Sequence, residues 1–263
     1  RLIDLKMDHV YYVVDNGQKP HFDLIFDTAK RIGWLTDKHT VKHIGFGVVL
    51  GEDGKRIKSR DGDTIPLTDL LDTSLDRAKT TIEDRNTEHM TEIEIQNAIN
   101  SIAYGAIKYA DLSTKRLSNY KFSYDKMLSL KGNTVVYQMY SHVRMHGIKN
   151  NLEKSGLFNV SDLITLKVEF EYDNERTLAL KLLQYNEAIN KVAKSQMPHF
   201  LCDYLYDLAT LLQYFSNHCQ CISFDKEKKP KHVNLTRAML CLLAIRVQKD
   251  VFELLGIKTI GKI

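Results

Sequence analysis

No apolar run in this 263-residue chain approaches the ~18 residues that a membrane-spanning helix needs, which argues against a helical anchor. The opening, Arg1-Leu-Ile-Asp4, has no initiator methionine, no basic stretch and no apolar core of a secretory leader. It reads as the interior of a longer protein. Cysteine is scarce and confined: Cys202, Cys219, Cys221 and Cys241 all fall in the last quarter. Cys219-Gln-Cys221 has the wrong spacing for a zinc knuckle and no matching second pair, so thiols in a reducing compartment are expected. The ten histidines show no metal-ligand spacing. His39 and His43 are four apart, but one falls in a turn and the other in a strand, so they should not converge; no metal site is expected. Nucleophile-elbow, P-loop and dinucleotide fingerprints are also absent, as is any fixed-period repeat. His43-Ile-Gly45 has the first three residues of a His-Ile-Gly-His signature, but Phe46 stands in place of the second histidine. The tripeptide also enters a strand rather than a helix, so it is not that motif.

The length fits two domains of ordinary size, and 43% hydrophobic with 27% charged residues is an ordinary soluble balance. The net charge of +4 is uneven. Residues 1–130 hold 19 Lys and Arg against 20 Asp and Glu, and residues 131–263 hold 18 against 13. The second part therefore carries the positive excess, which is compatible with a polyanionic partner.

Val10-Tyr-Tyr-Val-Val14 is a short apolar run rich in β-branched and aromatic residues, and reads as a buried strand of a parallel sheet. Asp15-Asn-Gly-Gln18 is a turn. Phe22, Ile25, Phe26, Ala29 and Ile32 then recur at helical spacing until Gly33. Val41–Leu50 reads as the next strand, completing a βαβ unit. In such sheets ligands bind beyond the carboxyl ends of the strands, which places Asp15–His21 and the loop after Val49 on one rim. That loop runs through Gly51, Gly54 and Gly62 and carries Lys55, Arg56, Lys58 and Arg60 with Ser59 and Thr64. Glu52, Asp53, Asp61 and Asp63 balance its charge. Two readings stand: a solvated hairpin, or a loop whose Lys-Ser-Arg cluster meets polyphosphate oxygens.

From Leu67 an amphipathic helix is expected, with Thr68 or Asp69 as cap, then a loop over 84–91, then a long helix from Ile93 to Tyr109. No further strand is expected before Phe122. Lys131-Gly-Asn133 marks a boundary between domains 1–132 and 133–263. Beyond it helices are expected from Val135, over Leu163–Phe170, over Ala179–Val192, from Pro198 to His218 and from Leu235 to Leu255. A charged loop, 225–232, precedes the last. This second domain reads as an all-α bundle. On the helix from Val135, Tyr137, Tyr140 and Arg144 share a face, with His142 nearer its edge. Two tyrosines beside a cation suit stacking of unpaired bases; two core rings with wet hydroxyls is the other reading. Tyr204 and Tyr206 point to different faces, so at least one belongs to the core.

Tyr12-Val-Val-Asp-Asn-Gly-Gln18, the run His43 to Asp53, Ile57-Lys-Ser-Arg60, Ala103 to Ser113, Tyr204-Leu-Tyr-Asp-Leu-Ala209 and Leu254-Leu-Gly-Ile257 resemble, in order, blocks of the arginyl-tRNA synthetases. The eukaryotic cytoplasmic type is the nearer likeness, over its C-terminal portion. The resemblance implies the end of a Rossmann-type class I catalytic domain, followed by an α-helical, DALR-type anticodon-binding domain. It implies ATP-dependent ligation of L-arginine to the 3′ end of tRNA(Arg) through arginyl-adenylate, in the cytoplasm, with Mg2+ accompanying ATP and no membrane partner. Gln18 matches the glutamine that contacts arginine. His43, Gly45, Phe46, Gly47 and Val48 match the strand along the adenosine. Lys58, Ser59 and Arg60 occupy the place of the signature loop, Lys58 being preferred for the phosphates. Val135, Val136, Tyr137, Gln138, Met139, Tyr140, Ser141, His142, Val143, Arg144, Met145, His146, Gly147, Ile148 and Lys149 match the helix that meets tRNA, and Ile263 the terminal contact. The first half of the catalytic fold and the residues that grip the arginine guanidinium have no counterpart, so they are expected upstream. The alternative is a non-catalytic tRNA-binding or assembly module derived from a synthetase. A cysteinyl-type relative fits less well, because Gln18 and Ile57-Lys-Ser-Arg60 favour the arginyl type.

Overall fold

The computed structural model describes residues 1–51, 54, 66–83 and 90–262; Lys58, Ser59, Arg60 and Ile263 lie outside them. The chain forms two compact units that do not follow chain order: residues 1–65 with 114–123, and residues 66–113 with 124–263.

In the first unit β1 (His9–Asp15) pairs in parallel with β2 (Thr40–Phe46), in a register that sets Asp15 beside Phe46. The crossover is α1 (Lys19–Arg31). Pro20 fits the first helical turn, and exposed Lys19–Asp23 and Arg31–Asp27 pairs span one turn each. Gly33, at φ +79°, ends it in the left-handed region. Tyr12 packs on Phe22 and Phe26 at 4.9 and 5.6 Å, and Phe22 stacks on His43 at 5.3 Å, which fixes the helix on one face of the pair. The expected strand Val41–Leu50 is broken. It leaves β2 at Phe46 and resumes as β3 (Val49–Leu50), which pairs in parallel with β4 (Tyr120–Lys121), a strand too short to stand out in the sequence. At the break the chain crosses the 116–118 segment at a distance only glycine permits. The Gly47 amide donates to the Arg116 carbonyl at 2.8 Å, and a Cβ on Gly47 would lie 2.3 Å from the Ser118 carbonyl oxygen.

The second unit is helical. It comprises α2 (Leu67–Glu83), α3 (Glu92–Ser113), α4 (Tyr124–Met127), α5 (Val135–Lys154), α6 (Asp173–Leu183), α7 (Tyr185–Ser195), α8 (His199–His218) and α9 (Leu235–Leu254). Thr68 and Asp69 lie inside the first turn of α2, which starts directly after Pro66, so neither is the cap expected of them. α3 opens instead on a reciprocal cap: Thr91 Oγ1 accepts from the Glu94 amide and Glu94 from the Thr91 amide. Thr134 caps α5 through the Tyr137 amide at 3.2 Å. The core runs through Ile102, Ala103, Met139, Leu205, Leu208, Leu212, Phe215, Ala244 and Phe252, all buried. Gly105 lets α3 approach closely, since a Cβ there would come within 3.2 Å of Val135 and Ile257. The tail beyond Gly256 is held on α3: Ile257 and Ile260 are buried, Lys108 donates to the Gly256 carbonyl, and Lys262 pairs with Glu94 at 2.9 Å.

Three further expectations fail in this unit. Leu163–Phe170 is a short 3-10 turn (Val160–Leu163) and then irregular chain, with Ile164 84% exposed. Its β-branched residues disfavour a helix, and its apolar residues are poorly covered, with Val168 and Phe170 exposed as well. Ala179–Val192 is two helices abutting at Gln184. The bundle also carries an antiparallel hairpin, β5 (Ile222–Phe224) and β6 (Pro230–Val233), where a charged loop was expected. No helix among the described residues is long and apolar enough to cross a membrane.

Candidate functional sites

The sheet rim of the first unit is built by the turn after β1. The Asp15 carboxylate accepts from the Gly17 amide at 2.8 Å and shapes a 3-10 turn over 16–18, which delivers Gln18 to the start of α1. Gln18 is exposed and its side chain makes no capping bond, so its amide is available to a ligand. On β2, His43 is half-buried against Phe22, and its Nε2 is buried with no hydrogen-bond partner among the described residues. An orphaned buried nitrogen at a sheet rim marks a place where another group can dock.

Gly45 and Gly47 were expected to admit a flat ligand. The protein itself takes the approach each glycine permits. A Cβ on Gly45 would lie 2.6 Å from Asn16 Oδ1, and the Gly47 Cβ position is filled by Ser118. Arg116 also donates to the Gly45 carbonyl, and Asn119 Oδ1 accepts from the Val48 amide at 2.7 Å. The two glycines are packing positions, while Phe46 remains exposed and Val48 half-buried. Arg116 and Asn119 bind the rim together, and Asn16 packs against Gly45. Only their polar character in a loop could have pointed to them in the sequence. Lys58, Ser59 and Arg60 lie outside the described residues.

In the second unit α5 and α8 flank a cavity of about 320 Å³. Its floor is apolar, from buried Met145, Ala209 and Leu212, and Leu130, Tyr137, Tyr140, Arg144 and Gln213 line it with Ser141. The three residues placed on one helix face by their spacing thus meet in one concavity. Tyr137 is clamped: its hydroxyl donates to Gln213 Oε1 at 3.0 Å and its ring meets Tyr206 at 5.6 Å. Arg144 donates to Asn217 Oδ1 at 2.6 Å. Tyr140 is 46% exposed at the mouth. An apolar floor with a phenol, an amide and a guanidinium at its edge suits a flat heteroaromatic with polar edges. Gln213 and Asn217, on the α8 face that also presents Tyr206, were missed, although their spacing of four with Tyr206 two turns further back was legible. Tyr204 is buried and Tyr206 half-buried, as their alternate directions required.

The helix assigned as a whole to tRNA is not open as a whole. Val135, Val136, Gln138, Met139 and His142 are buried in the bundle, so their side chains offer no surface to a macromolecule. His142, expected near the edge of the open face, is 2% exposed; it faces Gln248 at 3.3 Å and meets His146, Nε2 to Nε2, at 3.2 Å. Burial and then the neighbouring His146 lower its pKa to about 4. Burial, then Lys149, also lowers that of His146. Ser141 and Met145 are buried too, yet they line the cavity. Val143, Arg144, His146, Ile148 and Lys149 are half-buried, and Gly147 is exposed. The four cysteines are free and buried, and burial raises the Cys202 and Cys221 thiols to about 12. Among the described residues no group of three or more His, Cys, Asp or Glu is placed to hold a metal ion.

Residues 1–124 match the family described as tRNA synthetases class I (R), catalytic domain, and residues 138–263 match the DALR anticodon binding domain. The chain is 40% identical over 267 aligned residues to the cytoplasmic arginine–tRNA ligases of Mus musculus and Homo sapiens, covering 100% of itself and 40% of each. It thus spans about two fifths of the length of the curated relatives it matches. Its fold matches the crystal structure of arginyl-tRNA synthetase from Plasmodium falciparum with a TM-score of 0.82 at 32% identity, over 100% of this chain and 43% of that one. The chain belongs to the arginyl-tRNA synthetase family, as part of a class I catalytic domain followed by a DALR anticodon-binding domain.

Proposed function

We propose that the chain is the phosphate-binding and anticodon-binding part of an enzyme that joins L-arginine to the 3′ end of tRNA(Arg), working in the cytoplasm as its relatives are named to do. In that reaction the arginine carboxylate attacks the α-phosphorus of ATP, and pyrophosphate leaves. A terminal ribose hydroxyl of the tRNA then takes the arginyl group and AMP departs. Lys58 and Arg60, with Ser59, would stabilise charge gathering on the leaving pyrophosphate, Lys58 foremost; losing one such donor typically costs about 10²–10³ in rate. Mg2+ would travel with ATP. Gln18 would contact the arginine, while the His43 ring, Phe46 and Val48 would lie along the adenosine. In this reading the division of labour falls at 132/133, and Ile263 adds a terminal contact to the RNA.

The observation that carries the reading is the α5–α8 cavity, where Tyr137, Tyr140 and Arg144 converge over an apolar floor. An unpaired base of the anticodon loop fits that chemistry, and stacking is worth about 1–3 kcal/mol per base. A second reading, a tRNA-binding or assembly module without catalysis, draws on the bare apolar face of the first unit, where Tyr11 and Val13 of β1 lie exposed. The 263-residue chain should bind tRNA(Arg) and show only background ATP–pyrophosphate exchange. Exchange above background would overturn the split of the active site. Binding untouched by Tyr137→Ala with Tyr140→Ala would overturn the anticodon assignment.

A further inference from the structure

The hairpin β5–β6 is built to present positive charge. Lys226, Lys228, Lys229 and Lys231 fall within six residues, against Asp225 and Glu227, so its tip carries an excess of two charges. Everything from Ser223 to His232 is exposed. The turn is nevertheless ordered. Asp225 Oδ1 accepts from the amides of Glu227 and Lys229, both at 2.8 Å, and the Asp225 amide donates to the Lys229 carbonyl at 2.9 Å. One carboxylate is thus spent on the backbone, and the other, Glu227, pairs with Lys229 at 2.8 Å. Among the described residues Lys226, Lys228 and Lys231 have no ion-pair partner.

Lys228 sits at φ +61°, a left-handed conformation that costs a lysine about 1–2 kcal/mol and a glycine almost nothing. A charged side chain kept at a strained turn tip points to a use for the charge. Phe224, beside the turn, exposes its ring. The root is firm: Ile222 and Val233 are buried, the Asn234 amide donates to the Cys221 carbonyl at 3.0 Å, and Arg237, itself buried, donates to the Gln220 carbonyl at 2.8 Å. The hairpin also leaves the C-terminal end of α8. Asn217, which holds Arg144, is five residues before Ile222, so the root of the hairpin lies within roughly 18 Å of that contact.

We propose that this hairpin grips the phosphate backbone of the RNA whose unpaired base enters the α5–α8 cavity, through Lys226, Lys228 and Lys231. The proposal rests on the reading of the bundle as tRNA-binding. Lysine acts as a point charge towards phosphate and needs no fixed pairing geometry, which suits a contact blind to sequence. A membrane surface fits less well, because Phe224 is the hairpin's one exposed large apolar side chain.

The test is the affinity of the 263-residue chain for tRNA(Arg) as a function of salt, for the parent, for Lys226→Ala with Lys228→Ala and Lys231→Ala, and for Tyr140→Ala. Each lost phosphate contact lowers the slope of log K against log salt by about 0.7–0.9, so the triple variant should lose about 2–3 in slope and at least tenfold in affinity at 50 mM salt. Tyr140→Ala should lose affinity with the slope intact. A parent that binds while the triple variant keeps its slope overturns the hairpin assignment and leaves the cavity reading standing. A parent that does not bind overturns both. If the triple variant keeps its tRNA binding but loses binding to phosphatidylserine vesicles, the hairpin serves a membrane and the proposal fails.

Discussion

The two compact units bury their apolar residues very differently. In the first, Val10, Ile44 and Phe122 are the buried large apolar side chains among the described residues, while Val13 is 63% and Leu24 70% exposed and Ile25, Trp34 and Phe46 are also open. In the second, α3, α5, α8 and α9 enclose a continuous core in which Ile102, Met139, Leu205 and Phe252 have almost no exposed surface. Both contain well-formed elements, so local order does not separate them. The difference is between a fold that completes itself and a parallel strand pair with one covered face; such pairs occur in sheets covered on both. The second unit therefore carries its own closed core, while the first leaves one face of its strand pair open.

Two results would break that contrast. Arg237 and Glu175 form a buried pair at 2.5 Å, with Glu175 wholly buried and its second oxygen taking the Glu171 amide at 2.7 Å. Arg237→Met should destabilise the second unit by about 3–5 kcal/mol, because it strands the Glu175 charge in the core. Urea unfolding followed by far-UV circular dichroism measures it; a loss under about 1 kcal/mol would mean the core is looser than its burial implies. Next comes a matched pair of truncations. Leu205→Ala in α8 should cost about 2–5 kcal/mol, and Leu24→Ala in α1 within about 0.5 kcal/mol. Equal losses would show that the open face of the first unit is covered in solution.

How much could be read from the sequence follows the same division. The βαβ start was legible because Val10–Val14, Asp15–Gln18 and Gly33 each carry a local signal with one physical meaning. α8 and α9 were legible from long apolar periodicity with Pro198 and Gly256 at the ends. What escaped depends on contacts distant in the chain. At the strand break Gly47 crosses Ser118, 71 residues on, at a distance only glycine permits. Leu163–Phe170 has helical spacing, but its apolar residues find little cover, with Ile164, Val168 and Phe170 exposed. In the cavity, Tyr137, Tyr140 and Arg144 were found by spacing, whereas Gln213 and Asn217 come from another helix. The inward turn of His142 was misjudged because one helix alone does not reveal that α9 covers that side.

A smaller effect tests the α5–α9 seam through pH. Gln248 bridges His142 and Ser141, its Nε2 donating to Ser141 Oγ at 3.2 Å; His146 and Lys249 add positive charge, and the Phe252 ring closes the site. With His142 held at about 4 against an ordinary 6.5, the unfolded chain binds a proton between those values that the folded chain refuses. Stability is therefore full above pH 6.5 and falls as pH drops towards 4, by up to roughly 3 kcal/mol. His142→Gln should flatten that part of the profile. Urea midpoints at pH 7.0 and 4.5 decide it, and parallel profiles for the two proteins would assign the acid sensitivity to other groups.

The smallest expected effect is the most direct comparison of the two units. Gly33 after α1 and Gly132 before α5 have nearly the same backbone, φ +79° and +86°, and an added Cβ would meet nothing within 4 Å at either. Alanine at each position therefore changes one thing only, the cost of holding a left-handed conformation, about 1–2 kcal/mol. Differential scanning calorimetry should show Gly132→Ala lowering the main transition by a few degrees, because the residue leads into the cooperative bundle. Gly33→Ala acts on the unit with little buried surface and should leave that transition in place. If Gly33→Ala moved the main transition as far as Gly132→Ala, the two units would unfold together, and the thin core of the first would draw its stability from the second.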